Sequence, residues 1–288
     1  MKNRVLGIGL LLSIVLAMPP RIASATVLYV AAAGGTPYPT ITQAYNNATD
    51  GDTIKVLPGT YAEDLKVTKN VVIIGSGWQN TVWTSDRTPT VEPTIDLQNG
   101  RIQWFFISSN KLDGVQIYSG NLTNCVIRGC RNSGVFVKPA ATGSVANCDV
   151  LFNGDRGVYA NSDNSVSVFG CIARGNGNND YDGTYYYNRL CVQYSNGVRW
   201  NGTTCDCNPS CNTTGDPGFD SDLRISSAPG APCWDTGKPS ELDPDLLHHC
   251  MGYYGGPYAP VFPVVTQLQL TAASGGGVTV SATAKATW

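Results

Sequence analysis

The sequence predicts an all-β chain wound as a parallel β-helix, and three observations carry that reading. Cys125, Cys148 and Cys171 are spaced 23 residues apart, and a step of 20 residues outward reaches Phe105 and Cys191. A second slot keeps the same phase and holds Asn110, Cys130, Asn153, Asn176 and Asn196. Around both slots, short runs of alternating apolar and polar residues are separated by polar turns, many with glycine. Such a repeat leaves no room for a helix in each unit and shows no leucine framework. It fits stacked coils of short strands about 4.8 Å apart, in which like residues fall above one another.

The elements follow in order. Lys2 and Arg4 precede an apolar run from Val5 to Met18, and Ala23-Ser24-Ala25 completes a secretory signal peptide over residues 1–25. Its removal takes the formal net charge from −2 to −5. The run is too short for a membrane span, and none is expected in the mature chain. Only 14% of residues are charged and no basic cluster is present, which argues against nucleic acid as a partner. Residues 26–257 read as the solenoid. It opens with the strand Val27–Val30 and a short helix from Ile41 to Ala48, with Thr40 as N-cap. Ile41, Ala44, Tyr45 and Ala48 share one helix face, suited to lie over the open end of the stack. The strands Thr53–Leu57 and Val71–Ile74 follow.

In the coils, alternation sends Cys125, Cys148, Cys171 and Cys191 to one face and Val126, Asp149, Ile172 and Val192 to the other. A periodic cysteine column reads as an interior stack of small apolar side chains, or as a metal or redox row. The asparagine column is expected to take left-handed backbone in the turn and to pass side-chain hydrogen bonds from coil to coil. Cys205, Cys207, Cys211, Cys233 and Cys250 form a later group, open to disulfides or to zinc. Residues 258–288 read as a linker and a β-hairpin, Val264–Thr271 and Val278–Thr283 about Gly275–Gly277. They suit the start of an incomplete immunoglobulin-like module, or a sorting tail.

Two segments carry a resemblance. Residues 38–77, YPTITQAYNNATDGDTIKVLPGTYAEDLKVTKNVVIIGSG, resemble the opening coil of right-handed parallel β-helix proteins of the pectin lyase-like superfamily. Asp216–Phe219, Leu223–Gly237 and Met251–Pro257 resemble the closing segment of bacterial secreted β-helix proteins. The resemblance implies a right-handed fold and leaves the reaction open, because catalytic and non-catalytic members share these segments. The motifs that such methylesterases and polygalacturonases need do not occur. The two histidines, His248 and His249, lie in neither.

The remaining chemistry lies on one expected outward face. Asp149 stands between Arg128 and Arg174, and the run Asn178–Gly183 reads as a loop whose Asp180 and Asp182 offer weak Ca2+ ligands. Tyr181 in that loop, with Arg128, Asp149 and Arg174, completes the candidate ligand-binding set. Arginine and aromatic side chains over a groove suit a sugar or uronate. The sequence thus predicts a secreted or cell-surface monomer, non-catalytic, that presents a solenoid face to polysaccharide (an acidic glycan) or a cell-envelope partner. A Ca2+-dependent, pectate-lyase-like polysaccharide lyase is the alternative, and no other cofactor is expected.

Overall fold

The computed structural model describes residues 25–86, 92–160, 165–183, 187–193, 198–200, 212–214, 219–221, 223–224, 252–259, 262–273 and 277–287. The expected leader up to Ser24, the cysteines from Cys205 to Cys250, His248, His249 and Asn196 lie outside the described residues.

The chain enters through β1 (Val27–Val30) and α1 (Ile41–Asn47). Successive coils then contribute β2 (Thr53–Val56), β3 (Gly59–Ala62) and β4 (Leu65–Val67), followed by β5 (Val72–Ile74), β6 (Thr81–Thr84) and β7 (Ile95–Leu97). The next are β8 (Arg101–Gln103), β9 (Phe106–Ser108) and β10 (Val115–Ile117), then β11 (Asn121–Thr123), β12 (Val126–Arg128) and β13 (Val135–Val137). β14 (Thr142–Ala146), β15 (Asp149–Leu151) and β16 (Arg156–Ala160) follow. β17 (Ser165–Arg174) then runs past a corner without a break, ahead of β18 (Asn179–Gly183), β19 (Tyr187–Gln193), β20 (Val198–Trp200) and β21 (Asn212–Thr214).

Every pairing among these strands is parallel, which makes the body a parallel β-solenoid with three walls. The first wall stacks β1, β2, β5, β8, β11, β14 and the first half of β17. The second stacks β3, β6, β9, β12, β15 and the second half of β17. The third stacks β4, β7, β10, β13, β16, β18 and β20. A separate antiparallel hairpin pairs β22 (Phe262–Ala273) with β23 (Gly277–Thr287), longer at both ends than the alternation alone indicated.

Register turns the alternation into continuous interior stacks. On the first wall Ile54, Ile73, Ile102, Leu122, Val145 and Val168 lie in one line, all wholly buried. Each such side chain contributes roughly 1.5–3 kcal/mol through burial. Phe105, Cys125, Cys148 and Cys171 are wholly buried in the core, and the three cysteines are free thiols. Burial pushes the Cys125 thiol up to about 12, so the column is chemically quiet. Cys191 departs from the expected column. It pairs with Ile172, while Leu190 pairs with Cys171, across an irregularity between Phe169 and Cys171. A one-residue shift of this kind exchanges the two faces of a strand.

At the start of the stack, α1 places Ile41, Ala44 and Tyr45 in the core beside β1 and β2. Thr40 accepts from the Gln43 N–H at 3.1 Å, and Glu63 accepts from the N–H groups of Ile41 and Thr42 at 2.8 Å each. The free donors of the first turn are thereby met.

From Cys130 onward the asparagine column forms the expected ladder, whereas Asn110 is exposed and bonds instead to Ser85. The Cys130 N–H donates to Asn153 Oδ1 at 3.0 Å, and the Asn153 N–H to Asn176 Oδ1 at 3.0 Å. The Nδ2 groups of Asn153 and Asn176 donate to Ile127 O and Val150 O. Gly134 and Gly157 make room: a Cβ there would come within 2.7 Å of the Asn153 and Asn176 amides. The left-handed backbone lies elsewhere. Trp104, Asn124, Asn147 and Gly170, six residues earlier in each coil, have φ of 67°, 46°, 53° and 60° and form the corner between the first and second walls. The sharp corner demands the positive φ, whereas the ladder residues serve through their amides.

Candidate functional site

Residues 252–259 fold into two successive turns, closed by Gly255 N–H to Gly252 O and Ala259 N–H to Gly256 O, both 3.0 Å. This clasp lies over five consecutive corners of the solenoid. The Trp78 N–H donates to Tyr253 Oη, and its Nε1 to Tyr254 Oη, each at 3.2 Å. Trp104 Nε1 donates to Tyr258 O at 2.8 Å. Asn124 Nδ2 donates to Tyr253 O at 2.7 Å and to Gly255 O at 2.8 Å. Asn147 packs against Gly256, and the Gly252 N–H donates to Gly170 O at 2.6 Å. Both glycines are required by close approach and by φ of +86° and +77°. A Cβ would come within 2.5 Å of Asp149 Oδ1 at Gly252, and within 2.4 Å of Asn147 Nδ2 at Gly256.

The clasp changes the expected ligand face. Asp149 does share a row with Val126 and Ile172 on the outside of the coil. All three are wholly buried, and Gly252 of the clasp lies against Asp149 and Ile172. Neither Asp149 oxygen has a well-formed hydrogen bond. Burial holds its carboxyl well above the usual carboxylate range, and the Tyr253 N–H opposes this only weakly. Asp149 is therefore closed to a polymer arriving from solvent.

Arg128 and Arg174 do share a row of the second wall, with Leu151 between them. Arg128 is exposed, and its guanidinium sits 4.9 Å from the centroid of the Phe152 ring. Phe152 is 46% exposed and has a φ of 51°, and its ring lies against Gly175. Arg174 is half-buried.

The expected acidic loop is strand β18 of the third wall. Its polar composition reads as a turn, but register with β16 decides its conformation. Tyr181 is wholly buried in the core, in line with Val158, and is closed to ligand. Asp180 is also buried. Its Oδ1 accepts from the Asn176 N–H at 3.1 Å and from Asn176 Nδ2 at 2.7 Å, the role that each asparagine plays for the one before. Asp180 thus ends the ladder, and burial raises its carboxyl despite those bonds. Asp182 lies in register with Tyr159. Among the described residues, no three His, Cys, Asp or Glu side chains converge as metal ligands would. No helix among them is long and apolar enough to cross a membrane.

Two features were missed in the sequence. On the third wall, Phe136 and Tyr159 stack with centroids 5.0 Å apart and planes 11° apart. Lys138 lies 4.4 Å from the Phe136 centroid, and Arg156 lies 4.4 Å from that of Tyr159. Their spacing of 23 residues, the solenoid's own period, was the available signal. On the first wall, beside the clasp, a pocket of about 210 Å³ is lined by Arg101, Asn121, Thr123, Ser144, Phe169 and Tyr258, among others.

No family model matches the chain, and no curated protein matches it. Among solved structures the fold is similar to that of pectate lyase Pel9A, with a TM-score of 0.50 at 15% identity, covering 68% of this chain and 61% of that one. The chain therefore spans about three fifths of that protein's length. Pectin methylesterase PemA from Erwinia chrysanthemi gives a TM-score of 0.37 at 13% identity, over 72% of this chain and 94% of that one. A pectin methylesterase in complex with hexasaccharide VII gives 0.35 at 14%, over 73% and 95%. The likeness to Pel9A is one of fold.

Proposed function

We propose that this is a secreted or cell-surface monomer that binds acidic polysaccharide, or an acidic component of the cell envelope, on the second wall without transforming it. The observation that carries the reading is the exposed Phe152 ring with Arg128 on its face and Arg174 in the same row two coils away. A guanidinium offers a fixed fork to a carboxylate, and an exposed ring offers a face to a sugar. Coils about 4.8 Å apart let one extended polymer meet several of them. Lys138 on the face of Phe136 adds a cation on the adjacent wall, where Arg156 is paired with Asp155. The fold likeness to a pectate lyase is consistent with a polysaccharide ligand. The burial of Asp149 and Asp180 removes two of the carboxylates that a Ca2+-dependent lyase would draw on.

Calorimetry with oligogalacturonate, with Ca2+ and with chelator, tests this. Wild-type protein is expected to release heat on binding, and Arg128→Ala with Arg174→Ala to weaken it by about tenfold or more. Equal binding by the double variant would remove this wall from consideration. Chelator-sensitive release of unsaturated uronate would establish the lyase reading in its place.

A further inference from the structure

The pocket beside the clasp lies on a different wall from Arg128 and Phe152, and its lining is unusual for a surface depression. Arg101 is its one charged lining group, and no carboxylate pairs with Arg101 among the described residues. The guanidinium stacks 4.3 Å from the centroid of the Tyr258 ring, which fixes its position. Asn121 Oδ1 accepts from Ser144 Oγ at 2.7 Å, so both side chains are held in place with further donors and lone pairs to offer. Thr123 is 4% exposed, and its hydroxyl has no hydrogen-bond partner. Buried hydroxyls are almost always satisfied, so an orphan in the wall of a pocket marks a place for a ligand group or water. Phe169 and Tyr258 add apolar ring surface.

We propose that this pocket is a second binding site, a subsite for one carboxylate-bearing sugar. Arg101 meets the carboxylate, Asn121, Thr123 and Ser144 meet hydroxyls, and the rings cover the apolar face. The volume of about 210 Å³ is below the range of drug-sized pockets, roughly 300–1,000 Å³, and suits a single ring. The clasp supplies Tyr258 and one wall, so the site exists only when residues 252–259 are seated. The choice of ligand rests on the acidic-glycan reading, whereas the site itself does not.

Amide NMR titration of the full chain tests it, with galacturonate, galactose and acetate as probes. Galacturonate is expected to shift the amides of Asn121, Thr123, Ser144 and Tyr258. Galactose and acetate should bind about tenfold more weakly or less, having lost the carboxylate or the hydroxyls. Arg101→Gln should abolish the shifts, and Thr123→Val, which keeps the shape, should weaken binding by roughly fivefold to tenfold. No galacturonate shifts at these amides, or equal binding of acetate or galactose, would overturn the proposal. An oligogalacturonate titration separates the two readings. Shifts confined to Arg128, Phe152 and Arg174 overturn the pocket and leave the second wall standing. Shifts confined to the pocket do the reverse.

Discussion

Two columns of asparagine run up the same stack, six residues apart in each coil, and they do opposite things. Asn153 and Asn176 face inward and bond to the neighbouring coil, 23 residues away. Asn124 and Asn147 turn the corner with positive φ, and Asn124 reaches a segment 129 residues away. All four are almost completely buried. The same side chain therefore serves a local, repeating contact in one column and a long-range, singular one in the other. The difference lies in what covers each column: the next turn of the coil, or the clasp.

Asn176→Ala should give the largest effect. It strands the Asn153 N–H and amide together with the Asp180 carboxylate, for a loss of about 3 kcal/mol in urea unfolding. A loss below about 0.5 kcal/mol, the level of an ordinary surface change, would mean that the ladder contributes only shape.

Asn124→Gly sharpens the contrast, because glycine keeps the φ of 46° and deletes only the amide. Two bonds to the clasp disappear, at a local cost of about 2 kcal/mol. Hydrogen exchange should speed at the Gly252 amide, which bonds to Gly170 O, while the Asn153 amide stays protected. Equal loss of protection at both would show that the columns are one structural unit.

Asp149→Asn should have the smallest effect, and a favourable one. The folded carboxyl is raised above its ordinary value of 3.8, so the folded state binds a proton more tightly than the unfolded chain. Stability from this group is full below that value and falls as pH rises toward the raised value. At neutral pH the variant should gain about 1 kcal/mol, and the decline across that window should flatten. An unchanged pH profile would show that the clasp does not bury this charge.

The cysteine column and the ladder were legible because each residue's partner is one period away, so the constraint repeats in the sequence. The burial of Asp149 was not legible. Its outward direction followed from alternation, but exposure depends on Gly252 and Tyr253, which no period links to it. Asn178–Gly183 was misread for a related reason. Local composition says turn, while pairing with β16 makes most of it a strand and puts Tyr181 inside. Phe136 and Tyr159 obey the period, but their stacking depends on the register of β13 with β16, which the spacing of two aromatic residues alone does not fix.

The clasp also bears on how the molecule comes apart. In a solenoid held by neighbour-to-neighbour contacts alone, coils can fray singly from an exposed end. Here eight residues near the C-terminal end bond to the corners that carry Trp78, Trp104, Asn124 and Gly170. Opening any one of those coils disturbs the seat of the others, so the spanned section should melt as a single cooperative block. Its assembly follows the opposite order. The clasp follows in the chain every coil it fastens, so during synthesis those coils stand on ladder and core alone until residues 252–259 arrive.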